Sequence, residues 1–428
     1  NSPVCTASRQ SLLTGRYPST IGVTQLATPL PESETTLAEM LASAGYRTAA
    51  LGKMHFNSEL RHGFELRLDL EDHAKWLGKT GAQSIEANTP ALGRWRPFRD
   101  PASMWLNSTC LPYPAHDADM PGAWFARKAA EFIQDADGPF FLMVSFYEPH
   151  SPFHFPVEYA RRHDPSEFSA PPVHAADTWQ VPAIFKGLTD EEKRGIIAAY
   201  YTSVEYLDKN VGIVLDALAR SPRRNDTLVI YIGDHGYMLG QHGRFEKHCS
   251  FEPAVRAPLL VRFPGRVAEG AMSGAFVEFV DLVPTILEFC SVSIPAAVQG
   301  RSLVPLLTGH ARKHRNHVVV EYTENEEAMI RNDQYKLVYI TGNRAREDGY
   351  LPDPPNTQRR VMLYDELNDP DEFEDLAGRP EHKETVAALL HALAAHMKSI
   401  ARQPGLVPHT DDPYTILDFC LHPRDIRK

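Results

Sequence analysis

Continuous apolar runs set between amphipathic stretches constrain this chain more than any other feature of its sequence. The segment Gly122–Asp135 has helical spacing, and Phe140–Phe146 after it is apolar at nearly every position rather than at alternate ones. A strand apolar on both sides needs cover on both sides, which implies a mainly parallel sheet between layers of helices. The alternation recurs along the chain. Thr35–Ala44 predicts a helix stopped by Gly45, followed by a strand at Tyr46–Leu51. Thr189–Leu218 predicts a long helix with Tyr200, Val204, Leu207, Val211 and Leu215 on one face, before a strand at Thr227–Ile232. Pro258–Arg262 and Val280–Phe289 add a strand and a helix.

Two stretches break the alternation. Glu71–Met120 is rich in Trp, Pro and Arg without a clear period, and reads as a surface insertion over the site, with Trp76, Trp95, Arg96 and Trp105 available to shape a pocket. From about His310, short strands (Val318–Tyr322, Tyr335–Ile340, Val361–Tyr364) precede a helix at His382–Ser399 and a Pro-rich tail. The expected organisation is therefore an α/β domain over 1–309 and a smaller α+β subdomain over 310–428.

Composition excludes several classes. With 43% hydrophobic and 23% charged residues, the 428-residue chain has the makings of a large core and not of a disordered segment. A net charge of −11 argues against nucleic-acid binding, yet a local basic pocket for an anion remains compatible with it. No apolar run approaches the roughly 18 residues of a membrane span, so no membrane segment is expected. Cys5, Cys110, Cys249, Cys290 and Cys420 are scattered, with no Cys-x-x-Cys pair to suggest a disulfide framework or zinc. The chain opens on Asn1 with a dense motif at once, and the expectation is that a longer protein's beginning has been removed. Any export signal would lie there, and a periplasmic or secreted placement is expected over a cytoplasmic one.

Four blocks carry chemistry. Cys5-Thr6-Ala7-Ser8-Arg9 spaces a thiol and a guanidinium by one helical turn, so both face one point at a helix start, where free N–H groups favour an anion. Alone, the pair equally describes a structural cysteine beside a salt-bridged arginine. Gly52-Lys53-Met54-His55-Phe56 puts a lysine and a histidine two apart at a strand end, on one side of it. Glu148-Pro149-His150-Ser151-Pro152 places a histidine beyond the carboxyl end of a strand, where α/β sheets bind ligands; a loop histidine without a role has the same signature. Gly233-Asp234-His235-Gly236, followed by Gly240-Gln241-His242-Gly243, Arg244, Lys247 and Glu252, offers an oxygen and a nitrogen to one divalent cation. Asp281 suits a supporting place at a helix start.

In this order the blocks resemble the type I sulfatases of the alkaline phosphatase superfamily, through Cys5-x-Ala7-Ser8-Arg9 with Leu13-Thr14-Gly15-Arg16, Gly52-Lys53-x-His55, and Asp234-His235 with Lys247. The family's commonest signature has Pro where this chain has Ala7, which leaves the type of maturation enzyme open. The resemblance implies an α/β fold with a mostly parallel sheet sandwiched by helices. It implies conversion of Cys5 to Cα-formylglycine by a formylglycine-generating enzyme, the aldehyde hydrate then acting as nucleophile. Asp234, His235 and the Cys5-derived group would bind a divalent metal, Ca2+ first, with Mg2+ or Mn2+ as alternatives. Arg9, Lys53 and Lys247 would stabilise the sulfuryl oxygens, His150 and Lys247 would protonate the leaving alcohol, and His55 would act as base in the second half of the reaction. His242 and Arg244 are expected to touch substrate.

The implied reaction is hydrolysis of a sulfate ester, with a sulfated carbohydrate expected. His62-Gly63-Phe64-Glu65 and Arg424–Lys428 also resemble choline sulfatases, which implies a homo-oligomer formed through the tail. Members of the family carry an earlier strand ending in an Asp-Asp pair that completes the metal site, and that pair is expected in the removed part. Two other readings stay open: a phosphonate monoester or phosphodiester hydrolase of the same superfamily, and a non-catalytic sulfate-ester-binding protein. Paired sulfate and phosphonate assays separate the first. The chemical state of Cys5 separates the second.

Overall fold

The computed structural model describes residues 1–92, 105–343, 349–353 and 357–425. A helix at Leu37–Ser43 starts from a capping box, in which Thr36 accepts from the Glu39 N–H and Glu39 reaches back to Thr36. It leads into β1 (Arg47–Gly52), buried at every position after the first. β1 lies parallel between β2 (Leu66–Leu68) and β3 (Phe140–Ser145). The register pairs Gly52 with Ser145, so both strands deliver their carboxyl ends to one place. Gly52 has φ +94°, and a Cβ there would lie 2.1 Å from the Ser145 carbonyl oxygen, so only glycine permits the approach.

β4 (Val229–Ile232) pairs antiparallel with β5 (Leu259–Arg262), and residues of β5 alternate between half-buried and exposed. The β5 segment therefore departs from the expectation of a strand covered on both sides. Among the described residues, β3 and β4 have one strand partner each.

The helices at Pro121–Gln134 and Asp190–Arg220 follow the predicted spans closely, the second opening on a Thr189–Glu192 capping box. Its packed face overlaps the expected one in part, with Leu207 buried and Tyr200 and Val211 half-buried. Val204 and Leu215 are exposed, whereas Ile196, Ala199, Ser203, Tyr206 and Asn210 are buried. Small residues explain this. A Cβ on Gly195 would meet the Ser108 carbonyl oxygen at 1.8 Å, and the Ser203 hydroxyl donates to His154 O at 2.9 Å, so the close face is the one with little side chain. The stretch read as an aperiodic insertion contains a helix, Leu70–Thr80, capped by Asp69. Its Trp76 packs on Trp124 in the core, while Trp95 and Arg96 lie outside the described residues.

The later part of the chain forms an antiparallel meander in spatial order, β6 (Val318–Tyr322), β7 (Glu327–Arg331), β8 (Tyr335–Ile340) and β9 (Arg360–Asp365). β7 was not among the expected strands. The short polar segment Thr323-Glu324-Asn325-Glu326, with Glu326 in the left-handed region, separates it from β6. The helix Lys383–Ser399 seats Leu390, Leu393 and Met397 on Ile330, Leu337 and Leu363, and Pro413–Leu421 closes that core. The other face of the sheet packs Met329 and Val338 against Met238 and Phe251, which tightens the segment carrying Lys247. No helix among the described residues is long and apolar enough to cross a membrane.

Candidate active site

Cys5 opens the helix Cys5–Thr14, whose N-cap Val4 offers no side-chain acceptor and whose first turn has no acidic residue. The free N–H groups and positive end of that helix therefore favour a negative or polar oxygen ligand. The thiol is buried, 1% exposed, between two lysines and an imidazole. Lys247 Nζ lies 2.9 Å from Cys5 Sγ, His235 Nε2 3.1 Å and Lys53 Nζ 3.7 Å. Burial alone would raise the Cys5 pKa, but Lys247, Lys53 and His235 outweigh it and draw it well below that of an ordinary thiol. Burial lowers the Lys53 pKa, opposed by Cys5 and reinforced by Lys247.

Arg9, one turn on, braces the site from behind. Its Nε donates to Asp234 Oδ2 at 2.7 Å, and its Nη1 to Lys53 O at 2.6 Å and Ser145 Oγ at 2.5 Å. Ser8 Oγ donates to Asp234 O at 2.5 Å. The ends of β1, β3 and β4 are thus laced together by two residues of one helical turn. Burial acts to raise the Asp234 pKa, and Arg9 and His235 overcome it, so the carboxylate stays ionised far into the acid range. Gly236 is needed beside it, because a Cβ would fall 2.0 Å from the Pro253 carbonyl oxygen.

Both histidine tautomers on this side are set by carbonyls. His235 Nδ1 donates to Gly236 O at 2.7 Å and His150 Nδ1 to Ser151 O at 2.8 Å, leaving each Nε2 with a lone pair. The Nε2 of His150 accepts from Lys247 at 3.0 Å. Lys247 and then burial depress the His150 pKa to about 4, so the ring is neutral near pH 7. Ligand atoms of Cys5, Asp234 and His235 all lie within 4.8 Å of one another, one carboxylate and one imidazole around the Cys5 position. This donor set fits a divalent cation: Asp234 is ionised, and the His235 lone pair faces inward.

Cys5, Lys53, His150, Asp234, His235 and Lys247 therefore converge, with Arg9 bound to three of the strand ends. His55 stands beside them through Thr6 Oγ1, 3.0 Å from its Nδ1. His242 and Arg244 do not join this group. His242 Nδ1 is 3.0 Å from Asp177, and its ring stacks on Phe251 at 3.7 Å between centroids. Arg244 pairs with Glu246 at 2.5 Å and donates to Gln180 O at 2.8 Å. Both are buried in the wall that presents Lys247, where His242 faces Asp177 and Arg244 faces Glu246. Sequence reasoning overlooked Ser145 and Thr6. Ser145 had a signal, as the polar end of an otherwise apolar strand; Thr6 had none.

The sheet, its helix layers and the anion-holding centre at the strand ends define a hydrolase of the alkaline phosphatase fold. A family model described as Sulfatase matches residues 1–292, and one described as N-sulphoglucosamine sulphohydrolase, C-terminal, matches residues 240–399. The chain belongs to the sulfatase family, enzymes that hydrolyse sulfuric esters. It is 26% identical over 442 residues to an arylsulfatase of Clostridium perfringens, covering 92% of this chain and 85% of that one. Among solved structures, it resembles the phosphonate monoester hydrolase of Silicibacter pomeroyi, with a TM-score of 0.74 at 23% identity over 95% of this chain and 88% of that one. It also resembles a protein solved with its substrate D-glucosamine-2-N,6-O-disulfate, with a TM-score of 0.71 at 20% identity over 93% and 89%.

Proposed function

We propose that this sulfatase hydrolyses sulfate esters of carbohydrates at a formylglycine made from Cys5. The observation that carries the reading is the setting of Cys5: a helix-start thiol with two lysines and His235 within 3.7 Å of its sulfur. A thiol so placed is surrounded by the groups that a sulfate ester requires, whereas a structural cysteine needs none of them. The sulfur occupies the place of the formylglycine oxygens. The hydrated aldehyde supplies the nucleophile; Asp234, His235 and that group would hold a divalent cation, which when bound would supply a lowered hydroxyl pKa and charge stabilisation at the ester. Because Cys5 is fully enclosed, the maturing enzyme acts before the chain has folded around it.

The remaining chemistry belongs to side chains already in position. Lys53 and Lys247 face the charge that gathers on the sulfuryl oxygens and are held in place before substrate arrives. Arg9 keeps Asp234 and the Lys53 backbone at fixed distance. The neutral His150 accepts from Lys247, so the proton for the departing alcohol sits on Lys247 and His150 aims it. His55 takes a proton in the second half, when sulfate leaves. The carbohydrate class is supported by the glucosamine disulfate bound to the structural relative. Assays of Cys5→Ala against an aryl sulfate and against sulfated monosaccharides test the reading. Loss of turnover on both is expected; sulfate release at the unsubstituted rate contradicts it.

A further inference from the structure

The turn Thr24–Thr28 meets the helix start through Leu26 O, which accepts from Thr6, and it is fastened by several further hydrogen bonds. Asp425, near the end of the chain, accepts from the N–H groups of Thr24 and Gln25, each 2.9 Å from Oδ2, and from the Thr24 hydroxyl at 2.5 Å. The Thr28 hydroxyl also donates to it. Glu324 accepts from Leu26 N at 2.7 Å, and Asn57 Nδ2 donates to Leu26 O and Thr28 O, both at 2.9 Å. A carboxylate taking two N–H groups and two hydroxyls is a strong, charge-assisted tether.

The turn transmits this order inward through one carbonyl. Thr6 Oγ1 donates its single proton to Leu26 O at 2.7 Å. Its oxygen is then an acceptor only, and the partner 3.0 Å away, His55 Nδ1, must donate. The His55 proton therefore sits on Nδ1 and the lone pair on Nε2, which has no hydrogen-bond partner among the described residues. His55 also has φ +55°, uncommon for a residue with a Cβ, so its ring depends on such anchors for its aim.

We propose that Asp425 is a positioning residue for sulfate release: by clamping Thr24–Thr28 it holds the Leu26 carbonyl on Thr6, and Thr6 fixes His55 with Nε2 free to take a proton. This rests on the reading above, in which His55 is the base. Burial pushes the His55 pKa down to about 3, against the pull of Cys5, which agrees with a ring that waits neutral.

The test is a double-mutant cycle of Asp425→Ala and Thr6→Val in the full chain, with Thr6→Ser as the conservative variant. kcat, KM, melting temperature and the formylglycine fraction of the Cys5 peptide are measured for each. Each single variant is expected to lose about 10- to 100-fold in kcat per formylglycine, as misplacement of a reacting group does. KM and melting temperature should hold, Thr6→Ser should keep near-original kcat, and the double variant should be no slower than the slower single one. An Asp425→Ala enzyme with unchanged kcat, a fall explained by lost formylglycine or lost fold, or losses that multiply in the double variant would overturn the proposal. Turnover surviving in Cys5→Ala strikes the underlying reading instead, and the Asp425 effect on it is then read in that background.

Discussion

Lys247 Nζ lies 2.9 Å from Cys5 Sγ and 3.0 Å from His150 Nε2, so a single ammonium joins the nucleophile position to the loop beyond β3. It is the nearest cationic side chain to Cys5 and, in the proposed reaction, the holder of the leaving group's proton. Lys247→Ala should therefore lower kcat by about 10²- to 10³-fold, the usual cost of removing one preorganised charge partner. Lys247→Arg should not restore it, because a guanidinium neither gives up a proton at neutral pH nor fits the compact place of an ammonium. Steady-state kinetics on an aryl sulfate check both; a fully active arginine variant would remove Lys247 from the acid role.

Arg9 makes its shortest charged contact with Asp234, not with Cys5. Its loss should be felt first as weaker cation binding, because a partner that orients a ligand typically sets about 10- to 100-fold in metal affinity. After exhaustive chelation, the unsubstituted enzyme should be inactive and should recover with Ca2+, Mg2+ or Mn2+. Arg9→Lys should need correspondingly more cation for half-maximal recovery. Activity that persists unchanged through chelation would count against Asp234 and His235 as ligands.

Glu148 is a buried carboxyl two residues before His150, and its Oε2 has no hydrogen-bond partner among the described residues. Burial raises its pKa from an ordinary 4.5 to about 7. An acid whose folded pKa is raised holds its proton in the fold when the unfolded chain has lost it. Stability is then full below pH 4.5 and declines as the pH climbs to about 7. The decline amounts to about 3 kcal/mol at the conversion of 1.36 kcal/mol per unit. Glu148→Gln should remove that slope, gaining on the unsubstituted protein as pH rises through the window. Denaturant titrations at several pH values read it directly, and parallel curves for the two proteins would refute it.

Much of this molecule was legible from its residues. The β1 and β3 spans, and the helices at Pro121–Gln134 and Asp190–Arg220, follow from long apolar runs and capping signals, which local chemistry alone decides. Periodicity placed Leu207 correctly but not Val204 and Leu215 on the packed face of the long helix, because close approach there is made by Gly195 and Ser203, residues with almost no apolar signal. At the site, the resemblance to the type I sulfatases, carried by four blocks in order, named the groups around Cys5. Spacing does not say which way a buried charge turns, and His242 and Arg244 turn to Asp177 and Glu246. Thr6 and His55, 49 positions apart, bond directly while a carbonyl of a third segment takes the Thr6 proton, and no local pattern encodes this.

The account turns on Cys5, enclosed by Lys247, His235 and Lys53 at the start of its helix. The direct test is the mass of the peptide containing Cys5, taken from a preparation of the enzyme that turns over sulfate ester. The account predicts that formylglycine replaces the thiol in proportion to specific activity across preparations. A fully active preparation whose Cys5 peptide carries only the unmodified thiol would contradict it.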